Sequence, residues 1–396
     1  MKNRHVLYLL LTVAVLSASS VFAGPLGGES VKQEPVFVWG DVNNVYRIPA
    51  LMTTREGTVL AFCEAREEGD DTGNVDIVLR RSEDGGETWS PVQVVWDEGR
   101  NVAGNPCPVQ DLETGTIWLL MTWNHRDDPE DKLIAGTSND SRRPYVCYSN
   151  DDGKTWSEPV DIGETGRDPN WGWYATGPGV AIQLKHGEHK GRLICPANHS
   201  DLRYGDDSGD FYKAHTIYSD DHGKTWQRSE PIGPGCNESQ IVERVDGTLI
   251  MNMRSYGENS GYRSVSTSTD GGATWSKALR HEQLTEPTCQ ASILRYSTAK
   301  DGGKNRMLFS NPPNQESRSD LTVRLSYDEG KTWPIAKQLF DGYTAYSSLT
   351  VLPNGDIGCL YEAGDDSRGN RGIAALYFAR FPLEWLEADP DTSETR

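Results

Sequence analysis

The sequence predicts an all-β protein, a six-bladed β-propeller in which each blade is a four-stranded sheet. Two repeats support this prediction. The first is an eight-residue phrase, Ser-x-Asp-x-Gly-x-Thr-Trp, which we call the Asp box. The five copies span residues 82–89, 149–156, 219–226, 268–275 and 326–333. The second is a hairpin of two apolar segments around a turn, and it occurs six times. Repetition at intervals of several tens of residues is typical of propellers and solenoids.

Each Asp box predicts a hairpin turn, because extended segments precede and follow it. The Asp can accept backbone N–H bonds, the Gly can adopt positive φ, and the Trp can pack beneath the loop. The box aspartates are therefore expected to shape turns rather than to bind calcium or catalyse. They are Asp84, Asp151, Asp221, Asp270 and Asp328.

The inner hairpins set the blade count. They span residues 48–62, 108–119, 179–194, 241–250, 292–309 and 349–360. Six hairpins against five boxes leave the sixth blade with a different ending. Its third strand is expected at 373–380, and the N-terminal run 36–39 is expected to supply its outer strand and close the ring.

The 396 residues, 36% of them apolar and 40 of them glycine, suit one large domain. Residues 1–23 resemble a secretory signal peptide, cleaved after Ala23, which predicts an exported protein, periplasmic or secreted. Its apolar run is too short to span a bilayer, so no membrane insertion is expected. The propeller is predicted at 35–386, between a disordered linker at 24–34 and a disordered acidic tail at 387–396.

The charge and the cysteines exclude several classes of partner and site. The formal net charge is −19, which makes nucleic acid and anionic membranes poor partners. Seven widely spaced cysteines do not form a disulfide framework; they are expected to be reduced and packed, although an exported location permits a pair. His186 and His189 have a zinc-like spacing but lie in a polar turn without a third ligand. No metal and no cofactor are expected.

Propeller topology predicts where the chemistry lies. The start of the first strand, the end of the second and the start of the third share one face of each blade. Polar residues from several blades meet there, although they are spread over some 300 positions. They are Arg47, Arg66, Asp71, Glu238, Arg254, Arg318 and Tyr346.

Several arginines on one face of so acidic a chain predict an anionic ligand. A planar guanidinium matches a carboxylate bidentately, and three together can hold it against water. A single arginine could equally pair with a neighbouring acid, but three on one face favour a carboxylate-binding site.

From about residue 36 to 386 the chain resembles the exo-sialidases (neuraminidases) of the six-bladed Asp-box propeller family. Tyr46-Arg47-Ile48-Pro49 is similar to that family's Arg-Ile-Pro signature. The resemblance implies that Arg47, Arg254 and Arg318 form an arginine triad for the substrate carboxylate. It also implies an acid/base role for Asp71, a nucleophile pair for Tyr346 and Glu238, and a sugar contact for Arg66. These residues lie in the motifs Asn252-Met253-Arg254, Ser317-Arg318-Ser319, Asp70-Asp71-Thr72-Gly73-Asn74, Asn237-Glu238-Ser239-Gln240, Ala345-Tyr346-Ser347 and Glu64-Ala65-Arg66.

The chemistry agrees with these roles. Sialic acid carries a carboxylate on its anomeric carbon, which repels a carboxylate nucleophile, so a neutral phenol is suited to the attack; sialidases are the known tyrosine exception among glycosidases. Glu238 is the candidate base for Tyr346. Asp71 is expected to protonate the leaving oxygen and then to activate water, with net retention. Its acidic neighbours Glu67, Glu68, Asp70 and Asp76 are expected to raise its pKa.

For several other residues the sequence leaves two roles open. Arg66 contacts the sugar or holds the acidic loop, and His199 lines the pocket or makes a structural hydrogen bond. Trp171, Trp173 and Tyr174 line the rim or belong to the core. Glu362, which follows a second strand, is expected to orient an arginine of the triad.

The sequence therefore predicts an exo-α-sialidase that removes terminal, α-ketosidically linked sialic acid from glycoproteins, glycolipids or oligosaccharides. One alternative is a trans-sialidase or a glycosidase for a related nonulosonic acid. Another is a sialic-acid-binding propeller without turnover, and a third is an Asp-box scaffold, which has no need of the triad.

Overall fold

The structure is a computed structural model that describes residues 30–39, 45–67, 69–201, 211–301, 303–364 and 372–388. Within these residues the fold is an all-β propeller with three short α-helices. No helix in the described ranges is long and apolar enough to cross a membrane. The predicted signal peptide, most of the predicted linker and most of the predicted tail lie outside the described residues.

After β1 (Lys32–Val38), the chain forms an eight-stranded sheet of two antiparallel meanders. One parallel pairing, between Val75 and Val102, joins the meanders. The strands are β2 (Val45–Thr53), β3 (Val59–Arg66), β4 (Val75–Ser82), β5 (Gln93–Trp96), β6 (Val102–Gln110), β7 (Ile117–Asn124), β8 (Arg143–Ser149) and β9 (Val160–Asp161).

Three further antiparallel sheets follow in chain order. The first contains β10 (Trp171–Thr176), β11 (Ile182–Gln183), β12 (Leu193–Asp201), β13 (Tyr212–Ser219) and β14 (Gln227–Arg228). The second contains β15 (Cys236–Glu243), β16 (Leu249–Ser255), β17 (Tyr262–Ser268) and β18 (Leu279–Thr285). The third contains β19 (Ser292–Ser297), β20 (Arg306–Asn311), β21 (Thr322–Ser326) and β22 (Ile335–Gln338).

The last sheet unites the two ends of the described chain. It contains β23 (Thr344–Val351), β24 (Ile357–Gly364) and β25 (Ile373–Phe381), with β1 antiparallel to β25. The outer strand predicted at 36–39 is therefore confirmed. The helices are α1 (Glu130–Ala135), α2 (Gly163–Gly166) and α3 (Leu383–Glu387).

The described fold extends a few residues beyond both predicted boundaries of the propeller, 35 and 386. β1 begins at Lys32, not at residue 35, because the backbone of 32–34 pairs with β25 and the side chain of Gln33 donates to the carbonyl of Leu339 at 3.1 Å. Glu387 ends α3 and accepts a hydrogen bond from the Tyr327 hydroxyl at 2.8 Å. Polar composition suggested disorder at both ends, whereas pairing with distant strands orders them.

The five Asp boxes form one recurring turn, as predicted. In the first box the Ser82 hydroxyl donates to Asp84 at 2.7 Å, the Gly86 N–H donates to Ser82 at 2.8 Å, and the Thr88 N–H donates to Asp84 at 2.9 Å. The Thr88 hydroxyl heads the donors that lower the pKa of Asp84 to about 2. The same bonds recur in the other four boxes. The carboxylate of each box therefore accepts hydrogen bonds that hold its own turn.

Tryptophans of the boxes also pack against distant strands of the propeller. The Trp89 ring packs edge-on against Phe378 of β25, with ring centroids 5.2 Å apart, and the Trp156 ring packs against Phe62 of β3 at 5.7 Å. Gly86 has φ +89°, and a Cβ placed there would lie 2.1 Å from the Phe378 ring. Glycine is required at this position both by the backbone conformation and by the approach of the neighbouring sheet.

Candidate active site

All seven residues that the sequence predicted at one end of the propeller line a single cavity of about 290 Å³. Their Cα positions belong to β2, β3, β15, β16 and β23 and to two loops that precede third strands. The predicted convergence is therefore confirmed for Arg47, Arg66, Asp71, Glu238, Arg254, Arg318 and Tyr346. No Asp-box residue lines this cavity.

Tyr346, Glu238 and Arg254 form a closed triangle on the cavity wall. The Tyr346 hydroxyl donates to Glu238 Oε1 at 2.5 Å, and Arg254 Nη1 donates to Glu238 Oε2 at 2.8 Å and to the Tyr346 oxygen at 3.1 Å. Burial, with the Glu238 charge second, raises the pKa of Tyr346 well above its ordinary value. The resting phenol is therefore neutral, and its proton already points at a carboxylate that can accept it.

The three arginines of the predicted triad surround the Tyr346 ring but differ in their partners. Arg47 donates from Nε to Glu362 at 2.6 Å, and Arg254 pairs with Glu238. Arg318 donates to the carbonyl of Thr288 at 3.2 Å, and in the described part of the chain it forms no ion pair with a carboxylate. Of the three triad arginines, Arg318 is therefore the one whose positive charge has no carboxylate partner in the described part of the chain.

Glu362 orients Arg47, as predicted. Its carboxylate is fully buried and accepts from Arg47, from the Ile48 N–H at 2.9 Å and from the Tyr346 N–H at 3.1 Å. Ile48 has φ +61°, an unfavourable conformation for a β-branched residue, and the Glu362 bond helps to hold it. One buried carboxylate therefore fixes both a triad arginine and the backbone of the predicted nucleophile.

The expected rise in the pKa of Asp71 was wrong. Arg66 Nη1 lies 2.5 Å from Asp71 Oδ1, and this guanidinium is the main reason that the pKa of Asp71 falls to about 2. Among the acidic neighbours, Glu67 instead acts on Asp76: burial, then Asp97 and Glu67, raise the pKa of Asp76 to about 6. The nearest charge decides, and for Asp71 that charge is positive.

Arg66 takes the structural role that the sequence left open. Besides Asp71 it binds Glu64, with Nε donating to Oε2 at 2.8 Å, and its side chain is buried, whereas that of Asp71 is 68% exposed. Arg66 also lines the cavity. Asp70 lies beside them in the cavity wall, and Glu68 lies outside the described residues.

The sequence reasoning missed six polar residues of the cavity. They are Glu64, Asn105, Glu130, Arg142, Asn237 and Tyr256. Asn105 could have been found, because Asn105-Pro106 in β6 occupies the place that Ile48-Pro49 holds in β2, and both Asn105 and Ile48 have positive φ.

The remaining alternatives are settled by packing. His199 is fully buried, stacks on Trp171 with ring centroids 3.5 Å apart, and shares a hydrogen bond with His215, so it belongs to the core. Tyr174 is also buried, whereas Trp173 lines the cavity.

Among the described residues, no three acidic, histidine or cysteine side chains form a group that could hold a metal ion. All seven cysteines are free and buried, in agreement with the prediction of packed thiols.

Comparison with known proteins now defines the class, a propeller of BNR repeats. The model of the BNR repeat-like domain matches residues 57–359. A sialidase of Micromonospora viridifaciens is 37% identical over 95% of this chain and 58% of its own length. A Bacteroides fragilis sialidase is 32% identical over 82% of this chain and 61% of its own length. The chain thus spans about three fifths of the length of these two relatives.

Two further matches extend over most of the relative. An exo-alpha-sialidase of Aspergillus fumigatus is 31% identical over 87% of this chain and 86% of its own length. The solved Hadza microbial sialidase Hz136 superposes with a TM-score of 0.77 at 31% identity, over 89% of this chain and 69% of that one. The chain belongs to the exo-sialidase family of BNR-repeat propellers.

Proposed function

We propose that this protein is an exo-α-sialidase, which hydrolyses terminal α-ketosidic sialic acid from glycoproteins, glycolipids or oligosaccharides with retention. The observation that carries the proposal is the triangle of Tyr346, Glu238 and Arg254 inside a cavity lined by three triad arginines. A phenol hydrogen-bonded to a carboxylate, next to a site for an anion, suits an anomeric carbon that itself bears a carboxylate.

The arginines bind that carboxylate. Arg318 offers the guanidinium with no carboxylate partner in the described part, whereas Arg47 and Arg254 are held in place by Glu362 and Glu238. Pre-oriented guanidinium groups bind without the cost of being ordered, which favours a planar anion at this position.

In the first step the Tyr346 oxygen attacks the anomeric carbon and its proton passes to Glu238, while Asp71 gives a proton to the leaving oxygen. In the second step Asp71 takes a proton from water, the water oxygen displaces Tyr346, and Glu238 returns the proton to the phenol. The enzyme is regenerated, and two displacements retain the configuration.

Asp71 must hold a proton in the first step although its pKa is about 2 in the ligand-free site. Substrate binding raises the pKa of Asp71. The ligand carboxylate offsets the charge of Arg47, which is one of the groups that lower this pKa, and the bound glycan excludes water from a carboxyl group that is 68% exposed.

We also propose six blades, counting the two meanders of the eight-stranded sheet separately, and export after cleavage near Ala23. The support is the sheet order, in which β2–β5 and β6–β9 share a single pairing, and the apolar N-terminal run.

The experiment is release of fluorophore from a 4-methylumbelliferyl α-sialoside by wild type, Tyr346→Phe and Asp71→Ala. Tyr346→Phe is expected to lower kcat at least about a thousandfold, because it removes the oxygen that is held between Glu238 and Arg254. Asp71→Ala is expected to lose about 10²- to 10⁴-fold on sialyllactose and less on the activated aryl substrate. Full activity in both variants would contradict the assigned roles. Saturable sialic acid binding without turnover by folded wild type would favour a lectin.

A further inference from the structure

Arg142 is a buried cation on the cavity wall that the proposed mechanism does not use. It directly precedes β8, is 3% exposed and lines the cavity. In the described part of the chain it forms no ion pair, and its Nε has no hydrogen-bond partner. Burial lowers its pKa to about 10. A buried charge without a direct counter-ion is expensive, so its position calls for a reason other than stability.

The guanidinium of Arg142 holds two elements of the cavity wall. Nη2 donates to Asn105 Oδ1, and to Thr122 Oγ1 at 2.9 Å, while Nη1 donates to Asn124 Oδ1 at 2.6 Å. Its charged carbon also lies 4.1 Å from the centre of the Trp173 ring. Asn105 and Trp173 both line the cavity.

These contacts decide which way the Asn105 amide points. Because a guanidinium only donates, the amide atom that faces it is the oxygen. The Thr122 hydroxyl lies 3.2 Å from the same oxygen and 3.2 Å from the Gly104 carbonyl, and its one proton can go to either, so the Arg142 bond is what fixes the amide. The amide nitrogen, Nδ2, has no partner in the described part and is left to the cavity. The backbone N–H of Asn105 is fixed as well, by Glu64 at 2.7 Å.

At this place the cavity wall therefore presents the Asn105 amide nitrogen as a hydrogen-bond donor, together with the indole ring of Trp173 and the small side chain of Ala175. This pairing fits a ligand amide, whose carbonyl accepts from Nδ2 while its short alkyl group packs on Trp173. A ligand hydroxyl at the same place can accept the hydrogen bond from Nδ2 but has no alkyl group to pack on the Trp173 ring.

We propose that Arg142 is a positioning residue that, by fixing the Asn105 amide and the Trp173 ring, makes the site select N-acylated sialic acids over deaminated ones. This inference rests on the proposed sialidase function. Without Arg142 the Asn105 amide can turn over, since Thr122 can accept as well as donate, and the donor is lost from the cavity.

The test compares kcat/KM for two 4-methylumbelliferyl sialosides, one N-acetylated and one with a hydroxyl in place of the acetamido group. The variants are Arg142→Met, Arg142→Lys, Asn105→Ala and the double variant of Arg142→Met with Asn105→Ala. Arg143→Met is the matched control, because Arg143 also stacks on a tryptophan, Trp123 at 4.7 Å, but lies outside the cavity lining.

Arg142→Met is expected to lower the N-acetyl preference about tenfold, mainly through KM, which is the loss of one hydrogen bond. Arg142→Lys should fall in between, since one ammonium cannot reproduce the fork, and it serves if the Met variant does not fold. The double variant should lose less of the preference than the two single losses combined, because Arg142 acts in part through Asn105; any loss beyond that of Asn105→Ala reports its contact with Trp173.

An unchanged preference in folded Arg142 variants, or additive effects in the double variant, would overturn the role of Arg142 while leaving the sialidase function intact. Wild type that hydrolyses neither sialoside would instead overturn the proposed function, and this inference with it.

Discussion

Glu362→Gln tests whether one buried carboxylate supports the site. The carboxylate accepts four hydrogen bonds: two from Arg47, one from the Ile48 N–H and one from the Tyr346 N–H. A glutamine of the same shape has one oxygen, so its NH₂ group faces two of these donors, and Arg47 loses its counter-charge. Breaking a buried ion pair from one side costs about 3–5 kcal/mol.

This cost should be visible in the melting temperature. At roughly 2.1 cal/mol/K per residue, a propeller of about 350 residues unfolds with an entropy near 0.7 kcal/mol/K, so Glu362→Gln is expected to lower Tm by about 4–7 °C. The assay is thermal unfolding followed by circular dichroism, with Glu384→Gln, an exposed position on α3, as control. KM for the sialoside should rise in parallel, because Arg47 loses its orientation. A Tm within about 1 °C of wild type would refute the reasoning.

Two other predictions follow from the described contacts. Arg66→Met removes the main cause of the low pKa of Asp71, so that pKa should rise from about 2 towards its ordinary 3.8. The pH limb of kcat/KM that reports protonation of Asp71 should then move to higher pH, and an unmoved limb would disprove the coupling. Gly86→Ala should destabilise the fold more than Gly85→Ala. Both glycines have positive φ, but only at Gly86 would a Cβ meet a ring, that of Phe378. Equal melting temperatures of the two variants would contradict this.

Much of the fold could be predicted from the sequence because its structural unit repeats along the chain. An Asp box needs Ser, Asp, Gly and Thr at fixed spacing to satisfy one turn, and the structure uses each of them in the same way five times. The start of β1 could not be predicted because it contains Lys32, Gln33 and Glu34, and only their pairing with β25 shows that they form a strand.

The site residues could be predicted where the topology places a polar residue at a fixed point of a blade, as it does for Arg47, Glu238 and Tyr346. The electrostatic environment of these residues could not be predicted. Asp71 has acidic neighbours in sequence but Arg66 as its neighbour in space, and side-chain direction decides between them. Arg142 was missed because its role comes from Asn105 and Trp173, which precede and follow it without any common spacing.

The sheet shared by β1 and β25 has a consequence for biosynthesis. Lys32 lies opposite Arg380, so this sheet is completed only when the last strand has been made, and Arg47 likewise waits for Glu362. Contacts of such high contact order slow folding. A chain broken off before β25 leaves β1 and β24 with unpaired edges, which are templates for aggregation. Prematurely terminated chains are therefore prone to self-association, and those that end before Glu362 also lack the carboxylate that orients Arg47.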